Sequence, residues 1–344
     1  MEESTADKAP PLSTIVIAMS IPETTLAAFR AEFPEVRFRV PGEAQGVNEE
    51  GMIDGDSVAA SPDDLREADG FIGWSVDAAT LANAPGLRWL HASGAGVERY
   101  DLALIAGRGL TMTNSSGVSA PNMAEHILGM MIALARRFPT LVAAQSNREW
   151  RDSETHDEVA ELQGQTVLIA GIGDIGLETA KRADSFGMRV LGLRRRGDLP
   201  PPPNFEQVFA FDALPDAVAE ADHVIVTLPH TPQTRGMFDA AIFAAMKTGA
   251  IIYNVGRGPV IDSGALVAAL ASGHLGGAGL DVTDPEPLPA DSPLWAMPNV
   301  LITAHTSGAT PRYWDRQGAL IARIIRAFQD GDPVPNNVDL EAGY

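Results

Sequence analysis

The chain contains no cysteine. That excludes disulfides, zinc–thiolate sites and a cysteine nucleophile, and it fits a cytoplasmic protein. Lysine is almost as scarce: only Lys8, Lys181 and Lys247 occur, so arginine supplies nearly all of the 25 basic residues. The planar guanidinium suits bidentate contacts to carboxylate or phosphate, although a GC-rich genome produces the same bias. Basic residues are outnumbered by 45 acidic ones, for a formal net charge of −20. A field of that sign disfavours nucleic acid and anionic membranes as partners. It also repels anionic substrates at long range, so a site for an acidic ligand needs local arginines. No apolar run approaches the ~18–20 residues of a membrane span. The start, Met1-Glu2-Glu3-Ser4-Thr5-Ala6-Asp7, lacks the basic head and apolar core of a signal peptide and reads as a disordered lead-in. What is present is ordinary for a globular protein: 45% apolar and 20% charged residues over 344 positions, enough for two domains with separate cores.

The most informative stretch is Thr166-Val167-Leu168-Ile169-Ala170-Gly171-Ile172-Gly173-Asp174-Ile175-Gly176. Its first five residues form a short apolar run of the kind that makes a buried parallel strand. Gly171, Gly173 and Gly176 then spell G-x-G-x-x-G, residues 177–186 continue as a helix that Gly187 stops, and 189–193 form another strand. Between strand and helix, the first glycine permits a tight turn, the second lets backbone approach a pyrophosphate, and the third lets helix pack on strand. The helix N-terminus offers unpaired N–H groups and the positive end of its dipole to the phosphates.

The same alternation runs along the rest of the chain. Strands are expected at 13–19, 36–40, 70–74, 87–92 and 110–113, with helices at 22–33, 77–83 and 97–106. Residues 42–61 read as a polar loop. A methionine-rich helix at 121–137 reads as inter-domain or subunit packing, and 147–163 as an arm onto a partner subunit or a surface loop. Beyond the glycine motif, strands are expected at 205–209, 223–228, 250–255, 277–280 and 300–303, and helices at 212–219, 239–246, 263–272 and 310–329. The expected fold is α/β, two doubly wound parallel-sheet domains of Rossmann-like or flavodoxin-like type with a cleft between them. Residues 1–113 with 311–344 would form the substrate domain and 114–310 the dinucleotide-binding domain.

Three features fall at strand ends after the glycine motif, where open α/β sheets bind ligands. Arg257 lies between Gly256 and Gly258, suited to gripping a carboxylate. Glu286 sits between Pro285 and Pro287 in a stiffened loop. His305 follows the apolar strand 300–303 and precedes a Ser307-Gly308 turn. Among the other histidines, His91 ends a strand far from the glycine motif, His126 reads as a helix surface residue, and His230 follows Pro229 in a candidate cofactor loop. A glutamate beside a histidine makes a coupled acid–base pair, since the carboxylate favours the imidazolium form. With an arginine anchor and a nicotinamide, that is a site for reducing a 2-keto acid.

From about residue 66 to 337 the chain resembles the D-isomer-specific 2-hydroxyacid dehydrogenase family. The resemblance rests on Gly94-Ala95-Gly96-Val97 with Asp101, the glycine motif, Val226-Thr227-Leu228-Pro229 with Thr231-Pro232-Gln233-Thr234, the Asn254 to Gly258 and Asp281 to Pro287 motifs, and Ser292-Pro293-Leu294-Trp295 before His305. It implies that Arg257, Glu286 and His305 are the catalytic triad: Arg257 binds substrate, His305 is the acid/base and Glu286 tunes it. It implies cofactor contacts at Gly171, Gly173, Asp174, Ile175, Gly176, Leu228, Pro229, Thr234, Val255, Gly256, Asp281, His305, Ser307 and Gly308, with Asp281 on the nicotinamide amide. Substrate contacts are implied at Ala95 and Gly96, and Trp74 and Trp314 are candidates to shape the pocket. A homodimer is implied, and no metal. Departures are small: Ala304 stands where proline usually precedes the histidine.

Dehydrogenases that use NAD place an acidic residue about 20 positions past the glycines, on the ribose hydroxyls. Here Arg194-Arg195-Arg196 stand there, with Arg194 at the acidic position, which favours NADP(H) over NAD(H). The reading is therefore an NAD(P)H-dependent reductase of a small anionic 2-keto acid, glyoxylate or hydroxypyruvate in type, giving the D-2-hydroxy acid. Formate dehydrogenase does not use such a Glu–His pair as proton donor. Phosphoglycerate dehydrogenase is disfavoured because no regulatory domain follows Tyr344. The alternative from another class is a non-catalytic dinucleotide-sensing scaffold of the same fold, similar to the corepressors.

Overall fold

The structure, a computed structural model, describes residues 11–41, 58–151, 159–197 and 199–343. The N-terminal lead-in, most of the 42–61 loop and the middle of the 147–163 segment lie outside the described residues. The chain divides into two compact units, Met1–Val118 with Ala309–Tyr344, and Ser119–Gly308. The sequence reading placed these divisions at 113/114 and 310/311.

Along the chain run β1 (Thr14–Ile17), α1 (Glu23–Glu32), β2 (Arg37–Arg39), α2 (Pro62–Leu65), β3 (Gly70–Gly73), α3 (Ala78–Asn83), β4 (Trp89–Ala92), α4 (Leu102–Gly107) and β5 (Thr111–Asn114). Next come α5 (Ala120–Ala135), α6 (Phe138–Ser146), β6 (Thr166–Ala170), α7 (Asp174–Ser185), β7 (Arg189–Arg194), β8 (Gln207–Ala210), α8 (Leu214–Glu220) and β9 (His223–Val226). The series ends with α9 (Ala240–Ala245), β10 (Ile251–Asn254), α10 (Ser263–Ala271), β11 (Gly277–Leu280), β12 (Val300–Ile302) and α11 (Tyr313–Asp330).

The first unit is a five-stranded parallel sheet in the order β2-β1-β3-β4-β5. β1, β3 and β4 are buried along their whole length, as parallel strands covered on both faces must be. On one face Ile15, Ile17 and Trp89 meet Leu26 and Phe29 of α1 and Leu320, Ile321 and Ile324 of α11. On the other, Val16, Phe71 and Leu90 meet Leu65, Leu81 and Ile105. α4 starts five residues later than the 97–106 reading, because the Asp101 side chain accepts the Leu104 N–H and caps the helix there.

Within this unit His91 is wholly buried, and burial pushes its pKa down to about 3. Its Nδ1 lies 2.7 Å from Thr113 Oγ1, and its Nε2 faces the Gln317 amide nitrogen at 2.9 Å, a donor that only an unprotonated nitrogen can accept. A histidine kept neutral in the fold binds its proton only when the chain unfolds. Stability is therefore full above the ordinary histidine pKa of 6.5 and falls as pH drops from there towards 3. The slope from one such group is about 1.4 kcal/mol per pH unit. Urea unfolding at pH 7, 6 and 5 should show that loss in the wild type and a shallower one in His91→Gln; parallel slopes would contradict it.

The second unit is a seven-stranded parallel sheet in the order β12-β11-β10-β9-β6-β7-β8. From β6 the chain goes to one side through β7 and β8, then crosses to β9 and builds outward to β12. The switch point thus falls between β6 and β9, where ligands of doubly wound sheets bind. The apolar stripe of α5, with Ile127, Met130, Met131 and Leu134, packs against Val167, Ile169 and Val190, so these methionines are interior residues of this unit. α5 ends two residues earlier than the sequence suggested, because Arg137 takes a left-handed conformation, φ 56°. The chain then enters α6, for which the sequence reading gave no helix. Among the described residues no single helix is long and apolar enough to cross a membrane; α5 and α6 reach that length only as a pair bent by 68°.

Candidate active site

The glycine motif closes the buried strand β6. Gly171 has φ 109°, and a Cβ there would lie 2.6 Å from Thr227 Oγ1. That hydroxyl, in the loop after β9, donates to the Gly171 carbonyl at 2.9 Å, so the loops on either side of the switch point are tied together. A Cβ at Gly176 would stand 2.1 Å from the Gly171 carbonyl oxygen, which fixes how closely α7 approaches its strand. α7 begins at Asp174, three residues before the 177–186 reading, so Gly176 lies in its first turn. Gly173, its N-cap, has no side-chain cap hydrogen bond, and a Cβ added there would meet nothing within 4 Å. The space beside Gly173, at the N-terminus of α7, is therefore open, a cradle that fits a dinucleotide pyrophosphate.

β10, β11 and β12 are neighbours and parallel, so their carboxyl ends lie side by side. Arg257 leaves the end of β10, where the Asn254 side chain accepts the Gly256 N–H and donates to the Arg257 carbonyl, at 3.0 and 3.1 Å. The following Gly258 packs directly on the Thr283 carbonyl of the next loop. That loop, after β11, carries Glu286; Thr283 Oγ1 donates to the Pro285 carbonyl at 2.9 Å and Ser263 Oγ to that of Asp284 at 2.8 Å. His305 follows β12. Its Nδ1 lies 2.6 Å from Glu286 Oε1, which leaves Nε2 for another partner. Both side chains are about half exposed, 52% and 41%.

Ala304 and His305 both adopt left-handed backbone, φ 46° and 57°. Two consecutive residues in that region need outside support, and Asp281 gives it. Its carbonyl accepts the His305 N–H at 2.6 Å, and its buried carboxylate accepts the amides of Thr306 and Ser307. Proline's ring fixes φ near −65°, so Ala304 has a conformation closed to the residue usual at that place. Ser307 Oγ is buried with no hydrogen-bond partner among the described residues, a polar atom fitted to a ligand that brings its own donor or acceptor.

Residues 128–307 match the family model for the D-isomer specific 2-hydroxyacid dehydrogenase, NAD binding domain. The chain belongs to the D-isomer-specific 2-hydroxyacid dehydrogenase family. It is an NAD(P)-dependent oxidoreductase of that class, built from two parallel-sheet α/β domains. Similar proteins include glyoxylate/hydroxypyruvate reductase B of Yersinia pestis strain Pestoides F, 37% identical over 72% of this chain and 76% of that protein. D-3-phosphoglycerate dehydrogenase of Mycobacterium bovis is 34% identical over 78% of this chain, which spans only about half of that enzyme's length, 50%. Among solved structures, a D-isomer specific 2-hydroxyacid dehydrogenase from Xanthobacter autotrophicus Py2, in complex with NADPH and MES, superposes with a TM-score of 0.77 at 32% identity, covering 97% of this chain and all of that one, 100%.

The structure of this dehydrogenase locates the remaining sequence candidates. Leu228, Val255 and Gly256 are buried at the ends of β9 and β10, and a Cβ at Gly256 would come within 2.6 Å of the Leu228 carbonyl. The Thr234 hydroxyl turns into its own loop, donating to the Pro229 carbonyl at 2.6 Å. Arg194 does likewise: its guanidinium donates to the Arg196 carbonyl at 2.8 Å and to those of Leu199 and Pro200, while Arg195 and Arg196 are exposed. Trp74, Ala95 and Gly96 belong to the first unit. There Trp74 stacks on Tyr313 at 6.1 Å, Tyr313 meets Trp314 edge-on at 5.4 Å, and the Asn114 amide donates to the Ala95 carbonyl at 2.9 Å. Among the described residues no group of three or more acidic or histidine side chains is placed to hold a metal.

His126 corrects the sequence reading. It is no plain surface residue: its ring is only 22% exposed, its Nε2 lies 2.9 Å from Thr303 Oγ1, and Thr303 in turn donates to Asp281. No motif announced it, because α5 and β12 lie 177 residues apart at this contact.

Proposed function

We propose that this dehydrogenase reduces a small 2-keto acid of the glyoxylate/hydroxypyruvate type to the D-2-hydroxy acid, preferring NADPH. The observation that carries the reading is the 2.6 Å contact between Glu286 and His305, built on the same sheet as the glycine cradle. When bound, the reduced nicotinamide supplies a hydride. The chain supplies the rest. With Nδ1 held by Glu286, His305 presents Nε2–H to the carbonyl oxygen and gives up that proton as the alkoxide charge develops. Arg257 binds the substrate carboxylate and polarises the adjacent carbonyl. Gly171, Gly173 and Gly176 with the first turn of α7 hold the pyrophosphate. The exposed apolar side chains of Phe138, Val142 and Trp150 support a homodimer.

NADPH preference rests on the end of β7. Arg194 stands at the position where NAD-specific sites carry an acidic residue for the ribose hydroxyls. Arg194 braces the loop through three carbonyls, and the exposed side chains of Arg195 and Arg196 are assigned to the 2′-phosphate. The NADPH held by the Xanthobacter relative supports this choice. Replacing both arginines by glutamine should weaken NADPH binding by about tenfold or more and leave NADH binding nearly unchanged, as read by nucleotide fluorescence. Equal losses for both nucleotides would refute the assignment.

The reaction is tested by mixing purified protein with NADPH and glyoxylate, hydroxypyruvate, pyruvate, phenylpyruvate or 3-phosphohydroxypyruvate, following absorbance of the reduced nicotinamide. Fastest turnover of the first two is expected. Preference for the phosphorylated acid would move the substrate towards that of the mycobacterial relatives. Tight NADPH binding with no turnover of any would favour the sensing scaffold.

A further inference from the structure

Neither the glycine cradle nor the triad uses His126, yet its ring closes a chain of hydrogen bonds that ends beneath His305. Thr303 has one hydroxyl proton, and Asp281 Oδ1, at 2.6 Å, accepts it. The Thr303 oxygen therefore faces His126 as an acceptor, so His126 Nε2, at 2.9 Å, carries the proton of that contact. The same nitrogen lies 3.9 Å from Asp281 Oδ1. The Asp281 side chain is fully buried, and its two oxygens are unequally occupied. Oδ1 accepts Thr303 Oγ1–H, the Thr306 amide at 2.8 Å and the Ser307 amide at 3.2 Å; Oδ2 accepts only the Ser307 amide, at 3.1 Å. Three donors saturate one oxygen, and the other keeps a lone pair. Ser307, which donates to both, also carries the buried hydroxyl that lacks a partner among the described residues.

We infer that His126 is a positioning residue of this dehydrogenase. Acting through Thr303, it fixes the rotation of the Asp281 carboxylate. Oδ2 is thereby presented, with Ser307 Oγ, to the carboxamide of a nicotinamide, and the left-handed segment carrying His305 is held in place. The physical reason is directional. Without the N–H of His126, the Thr303 hydroxyl gains a free choice of rotamer and the saturated side of the carboxylate loses its outer support. The inference rests on the dinucleotide reading above.

The test pairs His126→Leu, which fills similar space without a donor, with His126→Gln, whose amide N–H restores one. Three readouts are taken on the full chain. Long-range proton–nitrogen NMR of the wild type should show the Nε2–H tautomer at His126, and Thr303→Val should abolish that preference. NADPH fluorescence titration should show His126→Leu weakened about tenfold and His126→Gln close to wild type. In turnover, kcat should follow the same order while the keto-acid KM stays unchanged. Wild-type behaviour of His126→Leu, an Nδ1–H tautomer, or equal losses in both variants that track a lower thermal midpoint would each overturn the inference. The last would show that the ring only packs. Wild-type protein that binds NADPH but reduces no keto acid would defeat the proposed reaction alone, because titration and tautomer still decide the role of His126. Failure of the wild type to bind NADPH would defeat the dinucleotide reading, and the inference with it.

Discussion

Exchange of His305 for alanine is expected to lower kcat by about 10²–10⁴ while leaving NADPH binding and thermal stability almost untouched. The size follows from the loss of the proton donor. Glu286 already occupies Nδ1 at 2.6 Å, so Nε2 is the only nitrogen of this ring with a proton to give. The small structural effect follows from exposure. The imidazole is about half exposed, 52%, and the main-chain contact that secures the segment, His305 N–H to the Asp281 carbonyl, does not involve the side chain. Alanine keeps that amide. Steady-state rates with glyoxylate or hydroxypyruvate, NADPH titration and a melting curve check the three parts separately. Glu286→Gln should fall between wild type and His305→Ala, since an amide oxygen can still face Nδ1 but makes a weaker hydrogen bond than the carboxylate that orients the ring. Undiminished turnover in His305→Ala would remove His305 from the chemistry.

Gly258→Ala should be the most damaging single methyl group in the second unit. Its Cβ would fall 1.9 Å from the Thr283 carbonyl oxygen and 2.2 Å from the carbonyl carbon. Both are main-chain atoms of the loop that carries Glu286, so no side chain can swing aside. Relief requires the loop after β10, with Arg257, to part from the loop after β11. Overpacking of this kind destabilises by about 3 kcal/mol or more. For a unit of this size that lowers the melting temperature by roughly 6–12 °C, and keto-acid reduction should fall with it. Gly173→Ala is the contrasting case. Nothing lies within 4 Å of a Cβ there, so the fold should melt normally while NADPH binding weakens, because the new methyl enters the space of the pyrophosphate. A melting curve on each variant separates the two effects; an unchanged melting temperature for Gly258→Ala would contradict the packing argument.

Much of this site is legible in one dimension because its parts are short and local. An apolar pentapeptide, three glycines and a helix make a dinucleotide turn within about a dozen residues, and the backbone geometry that needs the glycines is itself local. Arg257 and His305 can be found because each follows directly on an apolar strand. The end of α5 was only partly legible. Arg137 leaves the helix in a left-handed conformation that no glycine marks, and the one boundary signal is Pro139, two residues on, in the first turn of α6. The arginine run after β7 is obvious in the sequence, but which guanidinium is spent on loop carbonyls depends on a turn reaching to Pro200.

The alternation of strands and helices around the glycine turn, the absence of thiol chemistry and the residue types at 257, 286 and 305 were determined by the sequence alone, because each depends on neighbours along the chain. The tertiary structure decided what stands across from what: that the Glu286 carboxylate reaches Nδ1 rather than Nε2 of His305, and that His126 arrives from α5 to support Thr303 and Asp281. Those contacts join residues 19, 177 and 22 positions apart, and only the side-by-side packing of parallel strand ends, with a helix laid against them, brings such distant side chains within hydrogen-bond range.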